Sequence, residues 1–439
     1  MQRLIARVRQ AIVVLTQSLE TRTYFWLTVI VLFSLLLRMI AWFVVPVPEV
    51  GGRWYRIAVN VAEGKGYVDC IPGYFPFCGP ENNQTATSGP VPILIFAALI
   101  FLFDGFAVYP TLFFQMFLGL MTIMLVYFIS QDLFGKRTNA LVTATLWGMY
   151  YPILSLERIY TGEPIAIFFL CLSILALLKG YKQGKLVMWL LAGVTMAFAV
   201  LSRSAFTYFP LLILPIALLQ NISSFRRKFV NYVAMLLVFV MLLSPWVLRN
   251  WLVFGGFIPG ISLDGYNLFR NHYFLSQDDY LGLNPSANDA RQAIADLITN
   301  CQDLVGNENE FAMGKVYQQE AFRIIQRYPD RYLMLSVYRF IPFLTDYGVH
   351  DISQNLFWTL AGLENIGLWL LAIGTTLRQR KDFHKLFPVV FLLGYYAAGH
   401  LLINAQLRYI VPIMPLIMVL AIDQLVVLGN AFLAVAKVK

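Results

Sequence analysis

Apolar residues in this chain come in unbroken blocks of about 18 to 27, with neither helical nor strand periodicity. A helix of ~20 such residues covers the ~30 Å hydrocarbon core of a bilayer, and in lipid every backbone amide needs a partner within its own segment. The blocks therefore predict an all-α polytopic membrane protein. Composition agrees: 59% of residues are hydrophobic and 13% charged, against roughly a half and a quarter in soluble domains. A secreted or cytosolic enzyme is excluded. So is nucleic acid as the reason for the net charge of +9, because basic residues gather on cytoplasmic loops whatever a membrane protein does.

Those residues form six clusters: Arg3 to Arg22, Lys136-Arg137, Lys179/Lys182/Lys185, Arg226-Arg227-Lys228, Arg378 to Lys385, and Lys437/Lys439. Spans at about 24–45, 108–134, 139–155, 164–180, 186–203, 205–220, 229–249, 355–377, 386–404 and 409–430 place all six on one face, with both termini cytoplasmic. This makes about ten transmembrane helices. The apolar stretches Pro90 to Phe103 and Tyr332 to Leu344 are too short to cross. They are expected to be re-entrant or juxtamembrane helices. The first apolar stretch lacks a small-residue cleavage site and is expected to be a retained helix.

Nearly all acidic residues then fall in two long outer loops, 46–107 and 251–354, and in the short loop holding Glu157 and Glu163. The expected organisation is a transmembrane module over 1–250 that includes the first loop, a large outer loop over 251–354, and C-terminal transmembrane helices over 355–439. Two long outward loops imply a site built at the outer membrane surface. Within the larger loop, Ser286 and Asp289 have capping-box spacing, and 290–304 with 308–328 read as an amphipathic helical hairpin.

Of four cysteines, Cys171 lies in a span, while Cys70 and Cys78 share the first outer loop around Pro72, Gly73 and Pro76. In an oxidising compartment that pair is a possible disulfide. No metal-ligand spacing joins the cysteines to the four scattered histidines. No cofactor is expected, with a divalent metal left open.

Chemistry at such a surface needs an acid or base at the boundary and cations for any phosphate. Glu49 follows Pro46-Val47-Pro48 directly after the first span, and Glu163 opens a later one, where a carboxylate also suits the helix dipole. Arg203, Arg249 and Arg408 stand at outer ends of spans, Arg408 followed by Tyr409. A lone arginine there can snorkel to headgroups. Three at similar depth, on the face that avoids positive charge, point to a bound phosphate, which guanidinium grips bidentately.

Taken in order, these pieces resemble the GT-C superfamily of integral-membrane glycosyltransferases, in particular the branch of lipid A aminoarabinose transferases and protein O-mannosyltransferases. The matching stretches are Tyr55 to Ala58 with Ala62 to Tyr67, Thr85 to Phe103, Leu133 to Arg137, Glu163-Pro164, Leu201-Ser202-Arg203, Leu248-Arg249-Asn250 with Val253 to Gly255 and Pro259, and Arg408-Tyr409 with Pro412 and Pro415. The resemblance implies an inverting transfer of sugar from a polyprenyl-phosphate-linked donor to a lipid, glycan or protein acceptor. It further implies a site on the outer (periplasmic or extracytoplasmic) face of the plasma (inner) membrane, among membrane lipids. A first-loop acid would act as general base. Arg203, Arg249 and Arg408, with Tyr409, would hold the donor phosphate as it gains charge. The family places an Asp where Val50 stands, so Glu49 is one residue displaced and Asp69, Glu81 and Glu163 are alternatives. A second reading, an exporter of lipid-linked glycans, calls for charges deep in several spans, of which only Glu364 and Asp423 stand out.

Overall fold

The computed structural model describes residues 18–44, 52–69, 84–103, 108–211, 225–281, 292–293, 295–297, 309–345 and 356–435. Their regular secondary structure is helical, apart from one isolated bridge between Val68 and Gln84. In chain order the helices are α1 (Thr23–Val44), α2 (Arg53–Ala62), α3 (Pro90–Phe103), α4 (Val108–Phe134), α5 (Arg137–Met149), α6 (Tyr151–Leu156), α7 (Glu163–Gln183), α8 (Leu186–Ser202) and α9 (Phe225–Phe254). Then follow α10 (Asp264–Arg270), α11 (Glu310–Arg327), α12 (Pro329–Tyr338), α13 (Phe340–Thr345), α14 (Leu356–Arg378), α15 (Phe383–Ile403), α16 (Leu407–Ile410) and α17 (Met414–Val435).

Seven helices among the described residues are long and apolar enough to cross a bilayer: α1, α4, α7, α9, α14, α15, and α17 together with the short α16 that leads into it. Helices α7 and α17 are mostly buried and form the centre, whereas α1 is largely exposed at the rim. Around α7 pack α4 and α8, with α9 against α8; around α17 pack α14 and α5. The 14 residues of α3 reach about 21 Å at 1.5 Å per residue, short of a crossing as its sequence length predicts.

Two expected spans differ in detail. The stretch 139–155 is not one helix: α5 ends at Met149, Tyr150 has extended backbone (φ −64°, ψ 107°), and α6 restarts with Pro152 in its first turn. Pro152 lacks the amide that would bond the Gly148 carbonyl. That carbonyl accepts instead from Ser34 Oγ at 2.7 Å and Arg38 Nη1 at 3.2 Å on α1, so the break is satisfied across the bundle. The stretch 205–220 begins as a 3-10 turn, Ser204–Phe206, and its residues beyond 211 lie outside the described ones.

The larger loop builds a small unit of its own. Its core is Leu263, Tyr266 and Phe269 from α10 and its approach, packed on Met313, Tyr317 and Ala321 of α11. Helix α11 starts at Glu310, two residues after the sequence expectation, because Asn309 caps it: its Oδ1 accepts from the amides of Phe311 and Ala312 at 3.0 and 2.9 Å. Ser286 and Asp289, and most of 290–304, lie outside the described residues. The unit is clasped to the bundle by Arg339, which donates to the carbonyls of Asn271 (2.6 Å) and Leu402 (3.3 Å) and to His272 Nε2 (3.0 Å). Since His272 Nδ1 donates to the Leu268 carbonyl at 2.6 Å, the ring is the neutral tautomer with Nε2 as acceptor. Burial, seconded by the Arg339 charge, pushes His272 down to about 3.

Candidate active site

The end of the bundle that carries the two long loops brings together residues from three distant stretches. Glu163 is the first residue of α7, with Pro164 behind it fixing the helix entry. Arg203 ends α8 in extended conformation (φ −148°, ψ 110°), which swings its side chain off the helix. Arg408 sits on α16, reached through extended backbone at Gln406 (φ −144°, ψ 151°). Both arginines converge on one oxygen: Arg203 Nη1 and Arg408 Nε lie 2.6 and 2.7 Å from Glu163 Oε1. Thr161 completes the cluster, donating to Glu163 Oε2 and accepting from Arg408 Nη2 at 2.9 Å.

Exposure within this cluster is graded. Glu163 is 0% exposed, while the Arg203 and Arg408 side chains are 17% and 33% exposed. Both arginine side chains keep partial exposure, while the carboxylate they share is fully enclosed. A carboxylate that accepts from two guanidinium groups and a hydroxyl is shaped as a counter-ion that aims them. Aromatic rings back the arginines. The Arg203 guanidinium lies 5.1 Å from the Tyr409 ring centroid, and Tyr409 stacks on His400 at 4.9 Å.

The Arg203 turn is held by backbone contacts. A side chain at Gly89 would strike the Leu201 carbonyl, and a Cβ at Gly162 would lie 2.7 Å from the Ser202 carbonyl oxygen. Two loops thus approach this turn at a distance only glycine permits.

Arg249 occupies a neighbouring position with a different set of partners. It donates to the carbonyls of Thr85 (2.8 Å) and Tyr67 (3.2 Å) and to Gln84 Oε1 (2.6 Å) and Asn250 Oδ1 (3.0 Å), and lies over the rings of Tyr67, Trp246 and Phe254. Its guanidinium ties together two parts of the first loop, at Tyr67 and at Gln84-Thr85. Asp69 is buried and paired with Arg56 through two contacts of 3.0 and 3.1 Å. Glu49, Glu81, Cys70 and Cys78 lie outside the described residues. Among the described residues no group of three or more His, Cys, Asp and Glu is placed to hold a metal ion.

Two features escaped the sequence reading. Arg38, inside the first span, forms a bidentate pair with Glu157 at 2.7 and 2.8 Å, both almost fully buried. A charge within an apolar block was the available signal. Glu310 is a buried carboxylate with no lysine or arginine in salt-bridge distance among the described residues. Nothing in its surroundings, Asn309-Glu310-Phe311, distinguishes it from an ordinary helix-start acid.

Comparison with known proteins bears on this arrangement. Residues 87–248, which include Glu163 and Arg203, match the family described as dolichyl-phosphate-mannose-protein mannosyltransferase. The apo oligosaccharyltransferase of Archaeoglobus fulgidus superposes with a TM-score of 0.57 at 16% identity, over 94% of this chain and 51% of that one. The chain resembles the GT-C membrane glycosyltransferases. The same archaeal enzyme, AglB, in complex with an inhibitory peptide and a dolichol-phosphate, superposes at 0.56 with 17% identity, over 95% of this chain and 52% of that one. This GT-C-like chain thus spans about half the length of the oligosaccharyltransferase whose fold it shares. ArnT from Cupriavidus metallidurans aligns over 87% of this chain and 78% of its own at 12% identity, with a TM-score of 0.38. No curated protein sequence matches.

Proposed function

We propose that this protein is a membrane glycosyltransferase that moves a sugar from a polyprenyl-phosphate-linked donor to a lipid, glycan or protein acceptor at the outer face of the plasma membrane. The observation that carries the reading is the convergence of Arg203 and Arg408, both with partly exposed side chains, on the fully buried Glu163. The donor phosphate binds these two arginines, and Glu163 orients them. The AglB complex with dolichol-phosphate supports a lipid phosphate as ligand of this fold. Arg249 orders the loop beside them, and Tyr409 backs Arg203.

The reaction is inverting. An acceptor hydroxyl loses its proton to Glu49 and attacks the anomeric carbon from the face opposite the phosphate. The bond from that carbon to the phosphate oxygen breaks, and polyprenyl phosphate departs with one more negative charge than it had as a diester. Preplaced guanidinium groups in a water-poor site stabilise that charge most where it is developing. Glu49 is the base in this scheme; Asp69 and Glu163 are each committed to arginine.

The test is release of polyprenyl phosphate from a lipid-linked sugar by purified protein in detergent. Activity is expected in the parent and a ~10²–10⁴-fold loss in Glu49→Gln, which keeps size but cannot take the proton. A parent protein that carries the lipid-linked sugar across vesicle bilayers without cleaving it would make the protein an exporter.

A further inference from the structure

Glu310 heads α11 in the large loop, yet its carboxylate reaches out of that unit. It accepts from Thr85 Oγ1 at 2.6 Å, the Ala86 amide at 2.7 Å and Ser262 Oγ at 2.5 Å. The Ala86 amide and the Thr85 carbonyl belong to one peptide bond, and that carbonyl accepts from Arg249 Nη1 at 2.8 Å. A single peptide plane is therefore gripped by a carboxylate at its N–H and by a guanidinium at its C=O. The two ions are not in contact; they pair through the peptide between them. Each bond is of the charge-assisted kind, and a plane held at both ends loses the freedom to rotate about the chain.

Neighbouring groups extend the grip. The Thr85 amide donates to the Tyr67 carbonyl at 3.1 Å, the Ser262 amide to the Ala86 carbonyl at 3.0 Å, and the Tyr67 hydroxyl to the Ser88 carbonyl at 2.8 Å. The next residue, Gly89, lies against the Leu201 carbonyl and the Ser202 backbone. Arg203 follows directly. A rigid path thus runs from the large loop through residues 85–89 to the backbone that sets where Arg203 points.

Burial raises the Glu310 carboxyl above its usual range, against the hydrogen bonds from Ser262, Thr85 and Ala86 and the more distant Arg249 charge. A buried carboxylate without a contacting cation is a costly way to fasten a loop. Its return here is direction: no neutral side chain of that size offers two acceptor oxygens to this amide and two hydroxyls at once.

We propose that Glu310 is a positioning residue for the donor-phosphate site, acting through the 85–86 peptide and the Gly89 contact on the height and aim of Arg203. This rests on the phosphate reading above. Glu310→Gln keeps the volume but removes the charge, so the Ala86 N–H meets a neutral amide oxygen in place of a carboxylate while the Thr85 hydroxyl can turn to accept from the new amide. Ser262→Ala removes one bond to Glu310 and leaves the peptide grip whole.

The experiment measures affinity of the full-length protein in detergent for undecaprenyl phosphate, well below each variant's melting temperature, beside that melting temperature. Glu310→Gln is expected to bind ~10-fold more weakly, as loss of one charged hydrogen bond would imply. Ser262→Ala is expected to bind like the parent even where its melting temperature falls. Arg408→Ala, which removes a phosphate ligand itself, is expected to lose binding outright.

If Arg408→Ala loses binding while Glu310→Gln keeps the parent's affinity, the phosphate site stands and the Glu310 inference is overturned. Equal weakening in Ser262→Ala and Glu310→Gln also overturns it, since loosening the loop would then suffice. Parental binding in Arg408→Ala removes the phosphate site, and the Glu310 inference with it. Should Glu310→Gln not fold, Glu310→Asp keeps the charge but draws the carboxylate back from the Ala86 amide; it is expected to weaken binding to the same degree, and parental binding in it overturns the inference.

Discussion

Glu157 and Glu163 are six residues apart in sequence, both buried, both bonded to arginine, and they end in opposite situations. Glu157 meets one guanidinium, Arg38, through two parallel bonds, and both partners are 3% exposed or less. Glu163 meets two guanidinium groups through one oxygen, and both of those arginine side chains keep partial exposure. The first is a matched pair sealed between α1 and the turn after α6, where Arg38 also reaches Ser34 and the Gly148 carbonyl freed by Pro152. The second gathers two cations on one carboxylate and leaves their side chains partly exposed. Burial of a carboxylate therefore says little about its role. Stoichiometry and the exposure of its partners say more.

This contrast can be broken by mutation, beginning with stability. Arg38→Ala strands a buried carboxylate, which costs about 3–5 kcal/mol when a buried pair loses one partner. A large fall in detergent melting temperature is expected, with turnover per folded molecule near the parent's. Arg38→Met combined with Glu157→Leu should recover most of the loss, because the charge and its partner leave together. A strong loss of turnover in the folded double variant would show that the matched pair serves the chemistry after all.

At the other carboxylate the expected order is reversed. Arg408→Ala should lower turnover by ~10²–10³, as removal of a preplaced transition-state donor does elsewhere, and change the melting temperature less than Arg38→Ala. Arg408→Lys keeps the charge and loses the planar fork, so it should fall between the two. Arg270→Ala, on α10 away from the cluster, serves as the reference. Steady-state release of polyprenyl phosphate decides whether the guanidinium matters.

A third measurement sharpens the comparison with a site that holds a cation without any acid. Arg339 is matched by carbonyls and by neutral His272. Because His272 lies near 3 when folded and near 6.5 when unfolded, the unfolded chain takes up its proton first on acidification. Stability should therefore fall as pH drops below about 6.5, by an amount on the order of a few kcal/mol toward pH 3. His272→Gln should flatten that part of the profile. A slope unchanged in the variant would assign the acid sensitivity to other groups.

The smallest effect is expected at Glu163 itself. Glu163→Gln removes the shared charge that aims both arginines, so undecaprenyl phosphate should bind a few-fold more weakly and turnover should fall in parallel. Tighter binding would mean that Glu163 only offsets the arginines' charge and does not hold them in place.

Much of this architecture was legible in the chain. Blocks such as Val108 to Phe134 and Glu163 to Gln183 appear as helices close to the expected bounds, because apolarity over some 20 residues is a local property and the bilayer responds to it locally. The same holds for the short α3, and for Arg203, Arg249 and Arg408 at the loop end of their helices. In the stretch 139–155 local composition misled because of a proline, Pro152, which divides it.

Partnership was not legible, since it joins residues far apart in sequence. Glu163 and Arg408 are separated by 245 positions, Arg38 and Glu157 by 119, and Glu310 and Ala86 by 224. Three arginines with the same sequence signature thus divided into two that share a carboxylate and one, Arg249, spent on neutral acceptors. The sequence by itself determined that charge would gather at the loop end, because lipid excludes it from the spans. Which acid stands against which base was decided only by tertiary packing, because a hydrogen bond depends on an ångström of distance that no pattern of residue types along a chain encodes.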